Sequence, residues 1–372
     1  MVEQEVLCNI WLTTVFGYAS EKPIELIDRF GSAYNVFENG FDELNFGDAS
    51  DEIRYAFQNK DLSYAKYILE RTLKDGAKTV CLGEDDYPEL LAEIPNPPLV
   101  LYYIGDISCF SSKLPFTVVG TRKTDEEGRK ILSDFLPPLQ QAGFQIVSGF
   151  AEGAEAYIHR HAEKTAAVLP NGLNVLYPAS NAGLKEEIVE KGGVVLTEFV
   201  SDVRAYRGNF YLRNRLLAGL SCGVLVTQAR EKSGTSITAT AAGDYGRQVY
   251  AVPGSIYNPR FKGCIEMIRQ GAIAVSDPSQ IIADYAAIYD EIIDLSEQNS
   301  VVCGIADLSN EKYADLSENE RKVIAAISGN RLHADEITEK TGLDISAVNA
   351  ALVVLELESL IARLDGNQYI II

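Results

Sequence analysis

Between Phe116 and Val252, short apolar runs alternate with segments of helical spacing, and this alternation limits the possible folds more than any other feature. The runs are Phe116–Val119, Phe144–Val147, Ala166–Leu169, Val194–Leu196, Val224–Val226 and Val249–Val252. Helical segments lie between them at Glu126–Gln141, Ala154–Glu163, Asn181–Glu190, Arg213–Gly219 and Ser236–Tyr245. Strands this short and apolar need both faces covered, and helices threaded between parallel neighbours provide the cover. The pattern predicts an α/β fold with a doubly wound core, followed by helices at Ile265–Gln270 and Pro278–Tyr285. Ligands of such sheets gather at the carboxyl ends of the strands, so the loops after the runs come first in a search for chemistry.

The flanks read differently. Residues 1–75 are short helices punctuated by Gly17, Gly31, Gly40 and Gly47, closed by a helix from Leu62 to Lys74 with Gly76 past its end. Lys78–Leu82 and Leu99–Ile104 are strand candidates on either side of a connection containing Pro95-Asn96-Pro97-Pro98. Residues 286–314, mixing acids, Ser and Asn, read as a linker. In the last segment, 315–372, Ser317 and Glu320 have capping-box spacing. Helices follow at Leu332–Lys340 and Ile345–Leu357, then a hairpin of Leu360–Leu364 and Tyr369–Ile372 around Asp365-Gly366-Asn367. Three helices and a hairpin describe a winged helix. The expected division is 1–75, 76–285, 286–314 and 315–372.

A net charge of −20 argues against an anionic ligand until its distribution is considered. Residues 1–110 hold 8 Lys+Arg against 20 Asp+Glu, residues 111–285 hold 19 against 17, and residues 286–372 hold 6 against 16. An anionic ligand belongs on the middle third. The six cysteines form no C-x-x-C pair and there are three histidines, which argues against a disulfide framework or a zinc site. The thiols read as reduced and buried, and no metal or cofactor is expected. No stretch approaches the roughly 18 apolar residues of a membrane span. The acidic start, MVEQEVLC, lacks the basic region of a signal peptide, so a cytoplasmic location is expected.

Four loops carry the chemistry. Gly120, Thr121, Arg122 and Lys123 follow the first run, where backbone N–H groups near a helix start and two full charges suit an anion. Ser148 and Gly149 open a second, Gly-rich turn in which Gly149 and Gly153 allow close backbone approach, although Glu152 and Glu155 would repel a phosphate. The following His159 reads as a core or capping residue rather than a catalyst. Residues 204–215 interleave Arg204, Arg207, Arg213 and Arg215 with Tyr206, Phe210 and Tyr211. Guanidinium groups pair with phosphates and aromatic faces stack unpaired bases, a mixture suited to single-stranded nucleic acid. Ser233, Gly234 and Thr235 begin another helix, where they either cap it or hold a phosphate. Nothing nominates a nucleophile with its base.

The segments VVGTRK, IVSGFAEGAEAYIHR, AVLPNGLNVLYPASN, NFYLRNRLLAGLS, SGTSITA and VYAVPGS occur in the order found in the DNA-processing protein A (DprA/Smf) family, and the chain resembles that family from about Tyr87 to Tyr285. The N-terminal helices resemble its sterile-alpha-motif-like or helix-hairpin-helix-like extension, and residues 315–372 its winged helix. The resemblance implies an extended Rossmann-like core that binds single-stranded DNA without catalysis. It further implies a homodimer formed through that core, and a role in protecting incoming DNA and loading the RecA recombinase in natural transformation. By matching motif, Gly120, Thr121 and Arg122 would hold a backbone phosphate, and Arg207 and Phe210 would contact DNA by charge and stacking. Arg213, Asn214 and Arg215 would line the pocket, faced by Ser233, Gly234 and Thr235. The chain departs from the family at Glu152, where an arginine is usual, at Ala154-Glu155 and at Pro170-Asn171, changes expected to make the pocket more acidic or reshape it. The acidic winged helix is expected to meet protein rather than duplex.

A phosphoribohydrolase of the lysine-decarboxylase-like kind is the alternative. SGTSITATAAG shares its Gly-Thr, but the required helix glutamate is missing before Asp244. A nucleotide-sensing interaction protein is a third reading, and the arginine–aromatic cluster favours a polymer ligand over it.

Overall fold

The computed structural model describes residues 2–43, 50–286, 288–289, 313, 316–328, 332–358, 360–364 and 368–371. The linker read at 286–314 falls almost wholly outside these residues, and the turn Asp365-Gly366-Asn367 wholly outside them. The chain forms two compact units, one of residues 1–140 with 144–277 and one of residues 141–143 with 278–372.

In the first unit the six apolar runs are six strands. The complete sheet has nine: β1 (Lys78–Cys81), β2 (Val100–Gly105), β3 (Leu114–Val119), β4 (Phe144–Gly149), β5 (Thr165–Val168), β6 (Val194–Thr197), β7 (Gly223–Val226), β8 (Gln248–Ala251) and β9 (Ile273–Ala274). Their order is β1-β2-β6-β5-β4-β3-β7-β8-β9. From β6 to β9 every pairing is parallel, and β3 to β7 are buried along almost their whole length, as a sheet covered on both faces requires. Chain order reverses at β3, where Thr117 pairs with Val147 of β4 on one side and Val224 of β7 on the other. That reversal opens a crevice at the strands' carboxyl ends. The strand candidates before β3 extend the sheet in antiparallel fashion, β1 on β2 and β2 on β6.

Five N-terminal helices, α1 (Val2–Phe16), α2 (Lys22–Phe30), α3 (Ala33–Glu43), α4 (Asp51–Asn59) and α5 (Ser63–Lys74), precede the sheet. Trp11 of α1 meets the edges of Phe37 and Phe57 at 5.1 and 4.9 Å, contacts worth about 0.5–1.5 kcal/mol each beyond area burial. The Glu5 carboxylate accepts hydrogen bonds from the Ala33 and Tyr34 amides at 2.7 and 3.0 Å, capping α3 across 28 residues of chain. Tyr102, Ala167 and Val195 of β2, β5 and β6 share the apolar core of these helices. The remaining helices of this unit are the single turns α6 (Glu89–Ala92) and α7 (Cys109–Ser112), then α8 (Glu126–Gln141), α9 (Ala154–His161), α10 (Leu184–Glu190), α11 (Arg207–Gly219), α12 (Gly234–Asp244) and α13 (Lys262–Arg269). Here α11 begins at Arg207, six residues before the expected Arg213.

The second unit contains α14 (Pro278–Ala286), α15 (Glu318–Ile327), α16 (Ala334–Thr341) and α17 (Ile345–Leu357), with strands β10 (Leu332–His333), β11 (Ile361–Leu364) and β12 (Gln368–Ile371) in the order β10-β12-β11. Val323, Ile327, Ile337, Val348, Leu352 and Leu355 fill its core. Leu332 and His333, expected to begin a helix, instead pair with Tyr369 and Gln368, and His333 then caps α16. This is a winged helix whose hairpin has gained a third strand. No helix of the described residues is long and apolar enough to cross a membrane.

Candidate nucleic-acid interface

A cavity of about 950 Å³ opens where β3 and β7 end. Its walls come from the turn after β3, the N-terminal turns of α11 and α12, and the loop after β7. Six cationic side chains (Arg122, Lys123, Arg207, Arg213, Arg230 and Lys232) line it against two acids, Glu155 and Glu231. Among the described residues, no carboxylate pairs with Arg122, Lys123, Arg207, Arg230 or Lys232; the sixth cation, Arg213, faces Glu155. A cleft of this charge attracts an anion even on a strongly acidic chain, because local potential rather than net charge governs close approach.

The walls are fixed before any ligand arrives. The Ala154 amide donates to the Thr121 carbonyl at 3.1 Å, tying the first turn to the start of α9. Gly153 at that junction has φ +79° and presses against the Arg122 carbonyl, so a side chain there would be strained and would also collide. Arg260 Nε donates to the Lys123 carbonyl at 2.8 Å, and Asp125 accepts from Gln228 Nε2 at 2.8 Å. Asn214 Nδ2 donates to the Gly234 carbonyl at 3.0 Å, holding the first turn of α12 against α11.

Arg213 forms the floor. It is 2% exposed, and its Nη1 donates to the Val168 carbonyl at 3.3 Å and lies 3.6 Å from Glu155 Oε2. Burial lowers its pKa, and Glu155 opposes that shift. Its guanidinium passes so close to Gly149 that any side chain there would collide with it. Phe210 stands above, with the Arg122 Cζ 4.6 Å and the Arg213 Cζ 5.9 Å from its ring centroid and the edge of Tyr177 at 5.8 Å. Such cation–π contacts are worth roughly 0.5–2 kcal/mol and hold Arg122 in place with its N–H groups still available.

Two helices begin at this cleft without a side-chain cap: α11 after Tyr206 and α12 after Ser233. Neither has an acid in its first turn. The first N–H groups of a helix lack intrahelical acceptors and carry the positive end of its dipole, so both ends suit an oxyanion. The Ser233 hydroxyl is buried and has no hydrogen-bond partner among the described residues. Of the two roles left open for it, it does not perform the cap.

Of the expected site residues, Gly120, Thr121, Arg122, Lys123, Arg207, Phe210, Arg213, Asn214, Ser233, Gly234 and Thr235 line this one cavity. Three do not. Arg215 is 7% exposed, bonded to the buried Glu198 carboxylate and donating to the Asn96 carbonyl at 2.7 Å. It lies two positions from Arg213 on α11, and side chains two apart on a helix do not share a face. Ser148 is buried and donates to the Val118 carbonyl at 2.7 Å, and Gly149 accommodates the Arg213 guanidinium; both support the site without lining it. The expected acidity is also redistributed. Glu155 is turned to Arg213 and accepts from the Ala151 amide at 2.8 Å, while Glu152 accepts from the Ser180 hydroxyl at 2.7 Å outside this cavity.

His159 is fully buried and both ring nitrogens are engaged, Nε2 with the Gly149 carbonyl at 2.7 Å and Nδ1 with Thr165 Oγ1 at 2.8 Å. A carbonyl can only accept, so Nε2 carries the proton and Nδ1 accepts from the threonine. Burial pushes the imidazole down to about 4, against the pull of Gly149 and Glu155. Tyr206 and Tyr211, read from the sequence as stacking rings of the arginine–aromatic run, also line it, as do Tyr177, Arg230 and Lys232, which the sequence reading did not nominate. Arg230 and Lys232 sit beside Ser233, so proximity to a nominated motif was their available signal. Tyr177 had none.

Comparison with known proteins finds the model of DNA recombination-mediator protein A over residues 78–286 and that of the DprA winged helix domain over residues 309–367. Protein Smf of Synechocystis is 34% identical over 339 residues, covering 84% of each chain. The crystal structure of DNA processing protein A from Streptococcus pneumoniae superposes with a TM-score of 0.59 at 29% identity, over 72% of this chain and 93% of that one. The solved structure of DNA processing protein A from Helicobacter pylori, described for its single-stranded DNA binding mode, gives a TM-score of 0.52 at 27% identity, over 57% of this chain and 96% of that one.

Proposed function

Because this chain belongs to the DprA/Smf family of DNA recombination mediators, we propose that it is a non-catalytic single-stranded DNA-binding protein that protects incoming strands and helps load RecA, acting as a cytoplasmic homodimer formed through its core. The observation that carries this reading is the cleft with five cations unpaired by acids, interleaved with aromatic rings and entered by two uncapped helix ends. Arg122, Lys123 and Arg207 take phosphates, as do the amides after Ser233, while Phe210, Tyr206 and Tyr211 offer ring faces to bases. The H. pylori relative's single-stranded DNA binding supports the polymer over a mononucleotide. Arg215, Ser148 and Gly149 act as framework.

Absence of catalysis is supported by His159, whose nitrogens are both engaged beneath the cleft, and by α12, which carries no glutamate. The winged helix meets protein: α17 contains no Lys or Arg and exposes Ile345, Val353 and Leu357, whereas a duplex reader needs cations on that helix. A mobility-shift titration with single-stranded and duplex oligonucleotides at two salt concentrations tests the reading. Wild type is expected to prefer the single strand and weaken with salt, and Arg122→Ala to lose roughly tenfold or more in affinity across sequences alike. Undiminished binding by Arg122→Ala, or release of free base from a nucleoside monophosphate, would refute it.

A further inference from the structure

Beside the main cleft lies a second groove of about 360 Å³ that shares Arg122 and Lys123 with it. The turn after β3 is therefore a ridge with a cavity on each side. Beyond the ridge the groove gains Arg129 from α8 and Arg160 from α9. Arg160 Nη2 donates to the Ser180 carbonyl at 3.3 Å, and Arg129 has no partner among the described residues. The groove's acid is Glu152, and the Ser180 hydroxyl already donates to it. Four arginine or lysine side chains therefore face one carboxylate, an excess like that of the main cleft.

The groove also has an aromatic wall. Tyr157 and His161, one turn apart on α9, stack with centroids 3.8 Å apart and planes 13° from parallel. His161 Nδ1 is held by the Tyr157 carbonyl at 2.9 Å, which fixes the pair's orientation. Arginines spaced along a groove beside a rigid ring pair repeat the mixture found across the ridge. Unpaired strands bind that mixture through phosphates on guanidinium groups and bases on ring faces. A strand lying in the main cleft that continues past Arg122 and Lys123 meets this groove next.

We propose that the groove of Arg129, Arg160 and the Tyr157–His161 stack is a second segment of the single-stranded DNA path, entered over the Arg122–Lys123 ridge. This rests on the reading of the main cleft as the first segment. The two segments make affinity depend on strand length. A strand of about 6 nucleotides is accommodated by the main cleft alone, whereas one of about 20 reaches both segments.

The test measures fluorescence anisotropy of the full chain with labelled oligothymidylates of these two lengths, over a series of salt concentrations. The proteins are wild type, Arg129→Ala/Arg160→Ala, and the conservative Arg129→Lys/Arg160→Lys. Arg129→Glu alone guards against a folding artefact, since no partner is lost at that position. With the double alanine variant, affinity for the long strand is expected to fall roughly tenfold, with the salt slope shallower by about 1.4 for two lost phosphate contacts. Binding of the short strand is expected to stay at the wild-type level, lysines to restore most of the loss, and Arg129→Glu to weaken the long strand selectively. If wild type binds both strands and the alanine and glutamate variants match it on each, the second segment is overturned while the first stands. If wild type binds neither strand, both readings fall.

Discussion

Helices begin in two different ways in this molecule. In the C-terminal unit every start from α15 onward is satisfied by its own side chains: Ser317 and Glu320 form a capping box on α15, His333 and Glu336 on α16, and Asp344 accepts from Ala347 on α17. At the cleft of the first unit, α11 and α12 begin with neither cap nor acid, and Arg122, Lys123 and Arg207 face no carboxylate. Uncapped starts without a first-turn acid also occur at α5 and α13, so what points to an external anion is that α11 and α12 open together onto one cleft lined by cations that no acid pairs. Away from the cleft several cations are paired, Arg247 with Glu93 and Arg269 with Glu266 among them. The difference separates groups that hold the fold together from groups left for a ligand, even where both occur on one helix.

Arg213 and Arg215 sharpen the comparison. Arg215→Ala leaves the Glu198 carboxylate buried beside no cation, and burial already holds that carboxyl above its usual range. A loss of about 3–5 kcal/mol in unfolding free energy is expected, with single-strand affinity of the folded fraction unchanged. Denaturant titration alongside binding checks it; lost affinity in a stable variant would put Arg215 back in the site. Next is His159, whose pKa burial pushes from the ordinary 6.5 down to about 4 in the folded chain. The neutral ring stabilises the fold fully above pH 6.5, and that contribution drains away as pH falls toward 4, because the unfolded chain takes up the proton first. Relative to His159→Gln, wild type is expected to lose about 3 kcal/mol across that window. A pH-independent difference between the two would contradict the buried neutral assignment.

The smallest effects compare the caps directly. Asp344→Ala is expected to cost the C-terminal unit about 1 kcal/mol and leave binding alone. Ser233→Asp installs the missing cap on α12, so it should add about 0.5–1 kcal/mol of stability while weakening single-strand binding. Thermal melts and anisotropy report both quantities. A Ser233→Asp variant that binds normally would mean that α12 is not an anion site.

The parallel core was legible in the sequence because buried strands leave an unambiguous apolar signature, from Phe116 to Val252. The two antiparallel strands were legible as strands but not as members of that sheet, since pairing partners are not encoded locally. Starting α11 at Arg213 instead of Arg207 hides the single face shared by Arg207, Phe210, Tyr211 and Asn214 at i, i+3, i+4, i+7. Arg213 and Arg215 lie two positions apart and cannot point the same way, but only the buried Glu198 partner shows that Arg215 is the framework residue. Glu152 reads as part of the main cleft because its sequence neighbours Ala151 and Glu155 enter it, whereas Glu152 itself bonds Ser180 outside it. The two-residue strand Leu332–His333 is too short to leave a pattern, and only its pairing with β12 defines it.

Backbone amide hydrogen exchange with and without a saturating single-stranded oligonucleotide tests the central claim most directly, since it reads the open helix ends themselves. Slowed exchange at residues 120–123, 207–211 and 234–237, with α15, α16 and α17 unchanged, is the expected result. Protection confined to α17 and the strands β10 to β12, with the cleft amides unaffected, would contradict it.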